Sequence, residues 1–155
     1  MSVLHLMVGL PGAGKTALAL QLARDLPALR LSADDLHLAL FGDDMDDPAH
    51  GPRHDAIEAA LWPLALQALQ AGAAVVLDFG FWARAERWSH RHRAAALGFA
   101  SRLQVPPDPG NAIRLARIAA RGHGFRVTAQ DMALYETLYE PPDDAECRDH
   151  GPVGA

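Results

Sequence analysis

The eight residues 9–16, GLPGAGKT, match the pattern GxxxxGK[ST] at every fixed position and constrain the fold more than any other stretch of the chain. The run before them, residues 3–8, is short and apolar, as expected for a buried strand. After them Leu18, Leu22 and Leu26 recur every four residues, which is the spacing of one helix face. A strand, a glycine-rich loop and a helix in this order predict an α/β fold with a parallel sheet.

The residue types of this loop indicate what it binds. Glycines lack a Cβ, so successive backbone N–H groups can turn inward around a phosphate, and the next helix adds its positive N-terminus. Lys15 would reach the β- and γ-phosphates, and the Thr16 hydroxyl would hold the Mg²⁺ that bridges them. We therefore predict ATP binding, with GTP also compatible, rather than a glycine-rich turn unrelated to nucleotides. The predicted nucleotide-binding residues of the loop are Gly9, Leu10, Pro11, Gly12, Ala13, Gly14, Lys15 and Thr16.

Composition narrows the class of protein further. With 155 residues, 50% of them hydrophobic, the chain is long enough for one domain with a sizeable core. The formal net charge is −5 and aspartates crowd residues 43–47, which disfavours a broad nucleic-acid-binding surface. The lone Cys147 cannot form an internal disulfide. No apolar run approaches the roughly 20 residues that span a membrane, and the N-terminus does not resemble a signal peptide. We expect a cytoplasmic protein without a membrane partner.

Strands and helices are predicted to alternate along the chain, which favours a parallel sheet covered by helices on both faces. The predicted strands are residues 3–8, 29–31, 73–77 and 99–105. The predicted helices are residues 15–26, a helix that begins with a capping box at 32–35, and residues 55–71, 84–97, 111–121 and 128–140. Pro63 should kink or split the third helix, and residues 41–52 should form a mobile loop.

These elements together predict a three-layer P-loop NTPase fold with a parallel sheet of four to five strands. We expect one domain over residues 1–143, in which about residues 110–127 form a small helical lid. Residues 144–155 are polar and rich in glycine and proline, so they should form a frayed tail.

Acidic residues follow two of the predicted strands, at the sheet edge where open α/β proteins bind their ligands. Asp34 lies just past the second strand and is the predicted general base for a hydroxyl that accepts a phosphoryl group. Asp35 would have a structural task if it closes a capping box with Ser32, and alternatively both aspartates only favour the helix dipole. Asp78 ends the third strand and is the predicted Mg²⁺ ligand together with Thr16, the alternative being a helix cap.

Arg114, Arg117 and Arg121 are three and four residues apart, so they share one face of a predicted helix. Such a stripe is often only a solvated surface. Here glycines flank the helix on both sides, and we interpret the segment as a closing lid whose arginines neutralise the transferring phosphate. Trp82 and Trp88 are interpreted as packing residues rather than as platforms for base stacking.

Five stretches together resemble one family, the small P-loop kinases with AAA-type ATP-binding domains, close to the kinase domain of phage-type polynucleotide 5′-hydroxyl kinases. They are GLPGAGKT (9–16), SADDLH (32–37), VVLDFGFWARAER (75–87), RIAARG (117–122) and YEPPDD (139–144). The resemblance implies that Asp34 is the general base and that Arg117 and Arg121 are lid arginines over the ATP. The sequence departs from the family twice. His37 stands where these kinases carry an arginine that grips a substrate phosphate, and Ile118 breaks the arginine–asparagine pair of the lid.

The residues and the resemblance together predict an ATP-dependent kinase that transfers the γ-phosphoryl group to a hydroxyl of a small molecule. The alternative within this class is a nucleoside or polynucleotide 5′-hydroxyl kinase, which His37 disfavours. The alternative from another class is a nucleotide switch that binds a partner protein. The predicted catalytic residues are Lys15, Asp34, Arg117 and Arg121, with Arg117 also contacting the nucleotide, and the predicted substrate-contacting residues are Asp34, His37 and Asp78.

Overall fold

The computed structural model describes residues 2–148, 150 and 151 of the chain. Its strands are β1 (Val3–Val8), β2 (Leu29–Ser32), β3 (Val75–Gly80) and β4 (Ala100–Gln104). Its helices are α1 (Lys15–Asp25), α2 (Ala33–Phe41), α3 (His50–Gln70), α4 (Arg84–Ala96), α5 (Asn111–Ala120), α6 (Ala129–Leu138) and α7 (Asp144–Cys147). Over these residues the strands form one four-stranded parallel sheet in the order β2-β3-β1-β4. The predicted α/β class and parallel sheet are confirmed.

The register of the sheet brings the carboxyl ends of three strands to one edge. Val8 of β1 lies beside Gly80 of β3, and Ser32 of β2 lies beside Asp78 of β3. The glycine-rich loop, the start of α2 and the residues that follow β3 therefore leave the sheet at the same place. Strand β3 continues two residues past Asp78, so this aspartate lies within the strand and not at its end.

Buried apolar side chains cover both faces of the sheet. On one face Trp62 and Leu69 of α3 and Ala94 of α4 pack in a core with the side chains of β1 and β3. On the other face Ala19 of α1 contacts Met7 and Val76. The sheet is thus the middle of three layers, and its two inner strands are apolar on both faces because both faces are covered.

Helix α3 differs from the sequence prediction at its start and in its middle. It begins at His50, earlier than the sequence indicated, because Asp44 in the preceding loop accepts a hydrogen bond from the His50 ring. It passes Pro63 without a break. Pro63 removes one backbone hydrogen bond, but Trp62 and Ala65 beside it are buried in the core, and this packing stabilises the helix. None of the described helices is long and apolar enough to cross a membrane.

The segment after residue 143 is not the frayed tail that the sequence indicated, as far as it is described. It contains α7, and beyond this helix the backbone of His150 exchanges hydrogen bonds with Ser101 of the edge strand β4, at 2.8 and 3.1 Å. The rest of the predicted tail, residues 149 and 152–155, lies outside the described residues.

Arg87 explains why this segment packs on the domain. Its side chain has no exposed surface, and its guanidinium donates two hydrogen bonds of 3.0 Å to Glu146 of α7. It also donates to the carbonyl oxygens of Phe81 and Trp82, directly after β3. A buried guanidinium needs such partners, so α7 and the loop after β3 are held together by one side chain.

Candidate functional site

The loop between β1 and α1 has the backbone conformation of a phosphate cradle. Gly12 has a φ of 79°, and a Cβ at this position would lie 2.5 Å from the carbonyl oxygen of Arg114 on α5. Gly14 has a φ of 98° and is the N-cap of α1. Both positions require glycine, the first also because the loop passes directly under the α5 backbone. The cradle opens at a helix N-terminus, where a phosphate is favoured.

Lys15, the only lysine in the sequence, is the first residue of α1. Its Nζ donates to the carbonyl oxygen of Leu10 at 2.9 Å. Burial lowers the pKa of Lys15 to about 8, although the charges of Asp78 and Asp34 act in the opposite direction. The neutral carbonyl does not offset the ammonium charge, and a bound phosphate would supply the missing anion. The environment of Lys15 therefore fits the predicted nucleotide.

A cleft of about 940 Å³ opens at this edge of the sheet, between the glycine-rich loop, α2, α3, the end of β3 and the segment after α5. Acidic groups line the cleft both beside the cradle, where Asp78 lies, and on the walls formed by α3 and α4. The basic groups beside the phosphate cradle are Lys15, Arg117 and Arg121, and the acidic groups of the α3 and α4 walls are Asp55, Glu58 and Glu86. Asp34 lies between the two sets, because Lys15 and His54 both act on its charge. The volume suits a nucleotide with a small second substrate.

Asp34 and Asp35 begin α2 but have different surroundings. Ser32 caps the helix by accepting a hydrogen bond from the Asp35 backbone N–H at 3.2 Å. The Asp35 carboxylate accepts from Arg30 at 2.8 Å, so it does not close the predicted capping box. The Asp34 side chain is 61% exposed and faces the cleft. Desolvation by the cleft walls raises the pKa of Asp34, whereas His54 and Lys15 act to lower it.

Asp78 is nearly buried, and Arg30 fixes its orientation. The guanidinium of Arg30 donates to one carboxylate oxygen, Oδ2, from Nε at 3.1 Å and from Nη2 at 2.7 Å. The Asp78 side chain is 4% exposed and lines the same cleft as Thr16. A hydroxyl and a carboxylate are oxygen ligands of the kind that Mg²⁺ prefers, so the pair fits the predicted ion. The role of Arg30 was not expected from the sequence.

Of the three arginines of the predicted lid, Arg117 and Arg121 line the cleft. Arg117 donates from Nη1 to the Gly12 carbonyl oxygen at 3.2 Å, so α5 lies directly over the phosphate cradle. Arg121, just after α5, donates to the Phe125 carbonyl oxygen at 2.9 Å, and its Nε is buried without a hydrogen-bond partner among the described residues. Both side chains line the cleft, so their guanidinium groups lie where they can meet a bound phosphate.

Arg114 does not belong with these two arginines, and its place in the predicted stripe is a correction. Its side chain is 3% exposed and pairs with Asp108 before α5 and Glu136 of α6. Arg114 lies about one turn before Arg117 on α5, on the face that packs against α6. Its side chain therefore enters this contact and not the cleft. Arg114 is therefore a structural residue that joins the two lid helices.

The structure does not place His37 where it could contact a substrate directly, in contrast to the sequence prediction. Its side chain has no exposed surface. The ring donates from Nε2 to Asp44 at 2.7 Å and lies 3.1 Å from the His54 ring through Nδ1. Asp44 also binds Arg53 at 2.7 Å, so the loop that was expected to be mobile is tied to α2 and α3. His50 and His54 of α3 line the cleft instead.

Two further residues of the site were not assigned from the sequence. Trp82 was interpreted only as a packing residue, but its indole N–H donates to the Gly9 carbonyl oxygen at 3.0 Å and so positions the start of the cradle. Glu86 faces the cleft near Glu58, and burial, followed by the Glu58 charge, raises the pKa of Glu86 to about 7. The available signals were their position in the segment that follows β3, at the edge where ligands bind, and their place within the stretch 75–87 that carries the family resemblance.

Comparison with known structures places the fold. A chain of the Pnkp1/Rnl/Hen1 RNA repair complex aligns with a TM-score of 0.71 and 19% identity, over 88% of this chain and 43% of that chain. A proposed kinase from Chloroflexus aurantiacus aligns at 0.63 and 20%, over 99% of this chain and 80% of that one. A sugar kinase from Janibacter sp. HTCC2649 aligns at 0.63 and 17%, over 94% and 80%. Identities this low establish the shared fold alone.

Comparison of sequences gives the family. No curated protein matches the chain in sequence. The profile of an AAA domain matches residues 4–142, which include the phosphate cradle, Asp34, Asp78 and the lid arginines. This match shows that the chain belongs to the AAA domain family.

Proposed function

We propose that this protein is an ATP-dependent phosphotransferase that moves the γ-phosphoryl group to a hydroxyl of a small molecule. The observation that carries the proposal is the position of Asp34. It is an exposed carboxylate in the same cleft as the phosphate cradle, between the basic groups and the acidic wall. An NTPase that only switches between nucleotide states does not need a base at this place.

The basic residues have roles that follow from the charge of the transferring group. Lys15 binds the β- and γ-phosphates, and Arg117 and Arg121 offset the charge that spreads over the γ-phosphoryl oxygens as the bond to ADP lengthens. Thr16 and Asp78 would hold Mg²⁺, which neutralises phosphate charge when it is bound. Arg30 keeps the Asp78 carboxylate oriented towards the cleft.

Asp34 acts on the acceptor. The hydroxyl oxygen of the substrate attacks the γ-phosphorus, the bond between this phosphorus and the β–γ bridging oxygen breaks, and ADP leaves. The carboxylate of Asp34 accepts the proton of the hydroxyl in the same step. Its raised pKa makes it a better proton acceptor than an ordinary surface aspartate.

The charge of the cleft favours a small acceptor over a polynucleotide. Asp55, Glu58 and Glu86 line the wall beyond Asp34, and a polyanion entering there would be repelled. His37, at the position where the resembling kinases carry a phosphate-gripping arginine, is buried and neutralises no substrate phosphate. A neutral or cationic hydroxyl compound fits this wall better.

A panel of acceptors tests the proposal. Neutral sugars, amino alcohols, nucleosides and 5′-hydroxyl oligonucleotides would be incubated with ATP and Mg²⁺, and ADP release above background would be measured with mass spectrometry of the product. We expect a phosphorylated small molecule, whose formation requires Asp34. Phosphorylation of the oligonucleotides alone would favour the polynucleotide alternative. ATP hydrolysis without phosphorylation of any acceptor would favour the nucleotide switch.

A further inference from the structure

A continuous set of side-chain contacts joins Asp34 to the loop before α3. The Nε2 atom of His54 lies 3.7 Å from Asp34 and 3.5 Å from Glu58. Its other nitrogen, Nδ1, lies 3.1 Å from Nδ1 of His37. The second nitrogen of His37, Nε2, lies 2.7 Å from Asp44. The cleft-facing Asp34 is thus connected through two imidazoles to a carboxylate in the loop between α2 and α3.

The number of protons on the two rings follows from these contacts. A carboxylate can only accept, so His37 Nε2 carries a proton for Asp44. His54 Nε2 faces the carboxylates of Glu58 and Asp34 at 3.5 and 3.7 Å, and a proton on this nitrogen is favoured because an unprotonated nitrogen would present its lone pair to two anions. The contact between the two Nδ1 atoms needs one proton, whichever ring donates it. Three protons on four ring nitrogens are one more than two neutral imidazoles hold. We assign the extra positive charge to His54, because its ring is the one that faces two carboxylates.

Asp44 is not free to take a different role. Its Oδ1 accepts from His37 and also from His50 at 2.6 Å, and its Oδ2 accepts from Arg53 at 2.7 Å. Because both oxygens are occupied and Arg53 balances the charge, this cluster is a hydrogen-bonded network and not a set of unoccupied ligands. Its effect on the site is to hold the His37 ring in one orientation, which fixes His54 in turn.

We propose that His54 is a positioning residue for the transfer reaction, whose positive charge keeps Asp34 ionised and oriented and whose ring is held in place by its contact with the buried His37. This inference rests on the proposed role of Asp34 as the base. It adds a residue on α3 that the family resemblance did not supply, and it explains why a buried histidine occupies position 37. His54 acts on Asp34 from α3, whereas Lys15 acts on it from α1.

The surrounding charges agree with this assignment. Burial acts to lower the pKa of His54, but Glu58, Asp34 and Asp55 outweigh it, and the pKa is raised. The groups that act on Asp34 are His54 on α3, Lys15 on α1, Asp78 on β3 and Arg121 after α5. Among these charges His54 has the largest effect on the pKa of Asp34. Its removal should therefore change the ionisation of Asp34 more than the removal of any of the others.

The first test needs no acceptor. Long-range ¹H–¹⁵N spectra count the protonated ring nitrogens, and we expect three across His37 and His54 at pH 7. In His54→Gln the Asp34 pKa, followed by ¹³C spectra, should rise by about one unit, since a unit charge 3.7 Å away in water is worth about that much. His92→Gln is the matched control, because His92 is exposed on α4 and stacks on Trp88. Two protonated nitrogens, or an unchanged Asp34 pKa in a folded variant, would overturn the inference.

The second test uses the acceptor found in the panel. His54→Gln should move the acid limb of kcat/KM to higher pH by about one unit and lower kcat more than it changes KM for ATP, whereas His54→Lys, which restores a cation, should recover the wild-type limb. An unmoved limb in His54→Gln would overturn the role of His54. If no acceptor is phosphorylated, the function proposal fails while the spectra still decide the charge of the pair.

Discussion

Replacing Asp34 by Asn tests the base without changing the size of the side chain. Asn keeps an acceptor oxygen in the cleft but cannot take up a proton, so phosphoryl transfer should fall by about 10²- to 10⁴-fold, the usual contribution of general base catalysis. The structure predicts little change in stability, because the Asp34 side chain is 61% exposed and not part of the helix cap. ATP affinity should be nearly unchanged.

Asp35→Asn is the matched control, one residue away on the same helix. The cap uses the backbone N–H of Asp35, which the substitution retains, and the ion pair with Arg30 is lost. Asp35 is 62% exposed, so the pair contributes about 0.2–1 kcal/mol, which corresponds to a decrease of about 1–4 °C in Tm. Transfer should stay within a few-fold of the wild type.

The assay is initial-rate ADP release with and without acceptor, from pH 5 to 9, together with Tm and ATP affinity for each variant. Because the pKa of Asp34 is raised, wild-type transfer should fall as the pH decreases through a value above the ordinary 3.8 of aspartate. Full acceptor-dependent activity in Asp34→Asn would show that the base lies elsewhere. Equal losses in both variants would show that the start of α2 matters only for structure.

Lys15→Ala should weaken ATP binding by about 10- to 150-fold, since a charged hydrogen bond is worth roughly 1.5–3 kcal/mol, and titration calorimetry measures this loss. As the only lysine, Lys15 also permits a direct check, because ATP should protect it from an amine-reactive reagent. Arg117→Ala and Arg121→Ala should each lower kcat by about 10²- to 10³-fold with smaller effects on ATP affinity. An unchanged kcat in both variants would show that the two arginines are solvent-exposed surface residues without a role in the transfer. The pKa of Glu86 is raised to about 7 from 4.5, so folding is weakened as the pH rises from 4.5 through 7. Glu86→Gln should therefore raise Tm at pH 8 relative to wild type and not at pH 4, and the same change at both values would contradict this reasoning.

The phosphate cradle and the sheet could be predicted from the sequence because both depend on local patterns. The glycine spacing of residues 9–16 and the apolar runs of β1 and β3 appear as short, contiguous signals. The position of Asp34 also follows from the order of elements, since it comes directly after a strand whose carboxyl end lies beside the cradle. These features need no knowledge of distant contacts.

The remaining features of the site depend on contacts between residues far apart in the chain. Arg114 looked like a lid arginine until its partners on both sides were known, because helical spacing alone does not show which face packs. Arg30 and Asp78 are 48 residues apart, and no periodic pattern links them. His37 was expected to contact substrate, but its neighbours Asp44 and His54 enclose it. A break at Pro63 was expected because proline removes a backbone hydrogen bond, but the packing of its neighbours in the core keeps the helix continuous.

A short series of hydrogen bonds through Arg87 connects α7, the last described helix, to the glycine-rich loop. Glu146 accepts a hydrogen bond from the guanidinium of Arg87, and the same guanidinium donates to the Trp82 carbonyl oxygen. The indole N–H of Trp82 in turn donates to the Gly9 carbonyl oxygen. Gly9 begins the glycine-rich loop. A change in α7 that weakens Glu146 should thus loosen this loop without altering any residue that lines the cleft, so α7 would support the loop from outside the cleft.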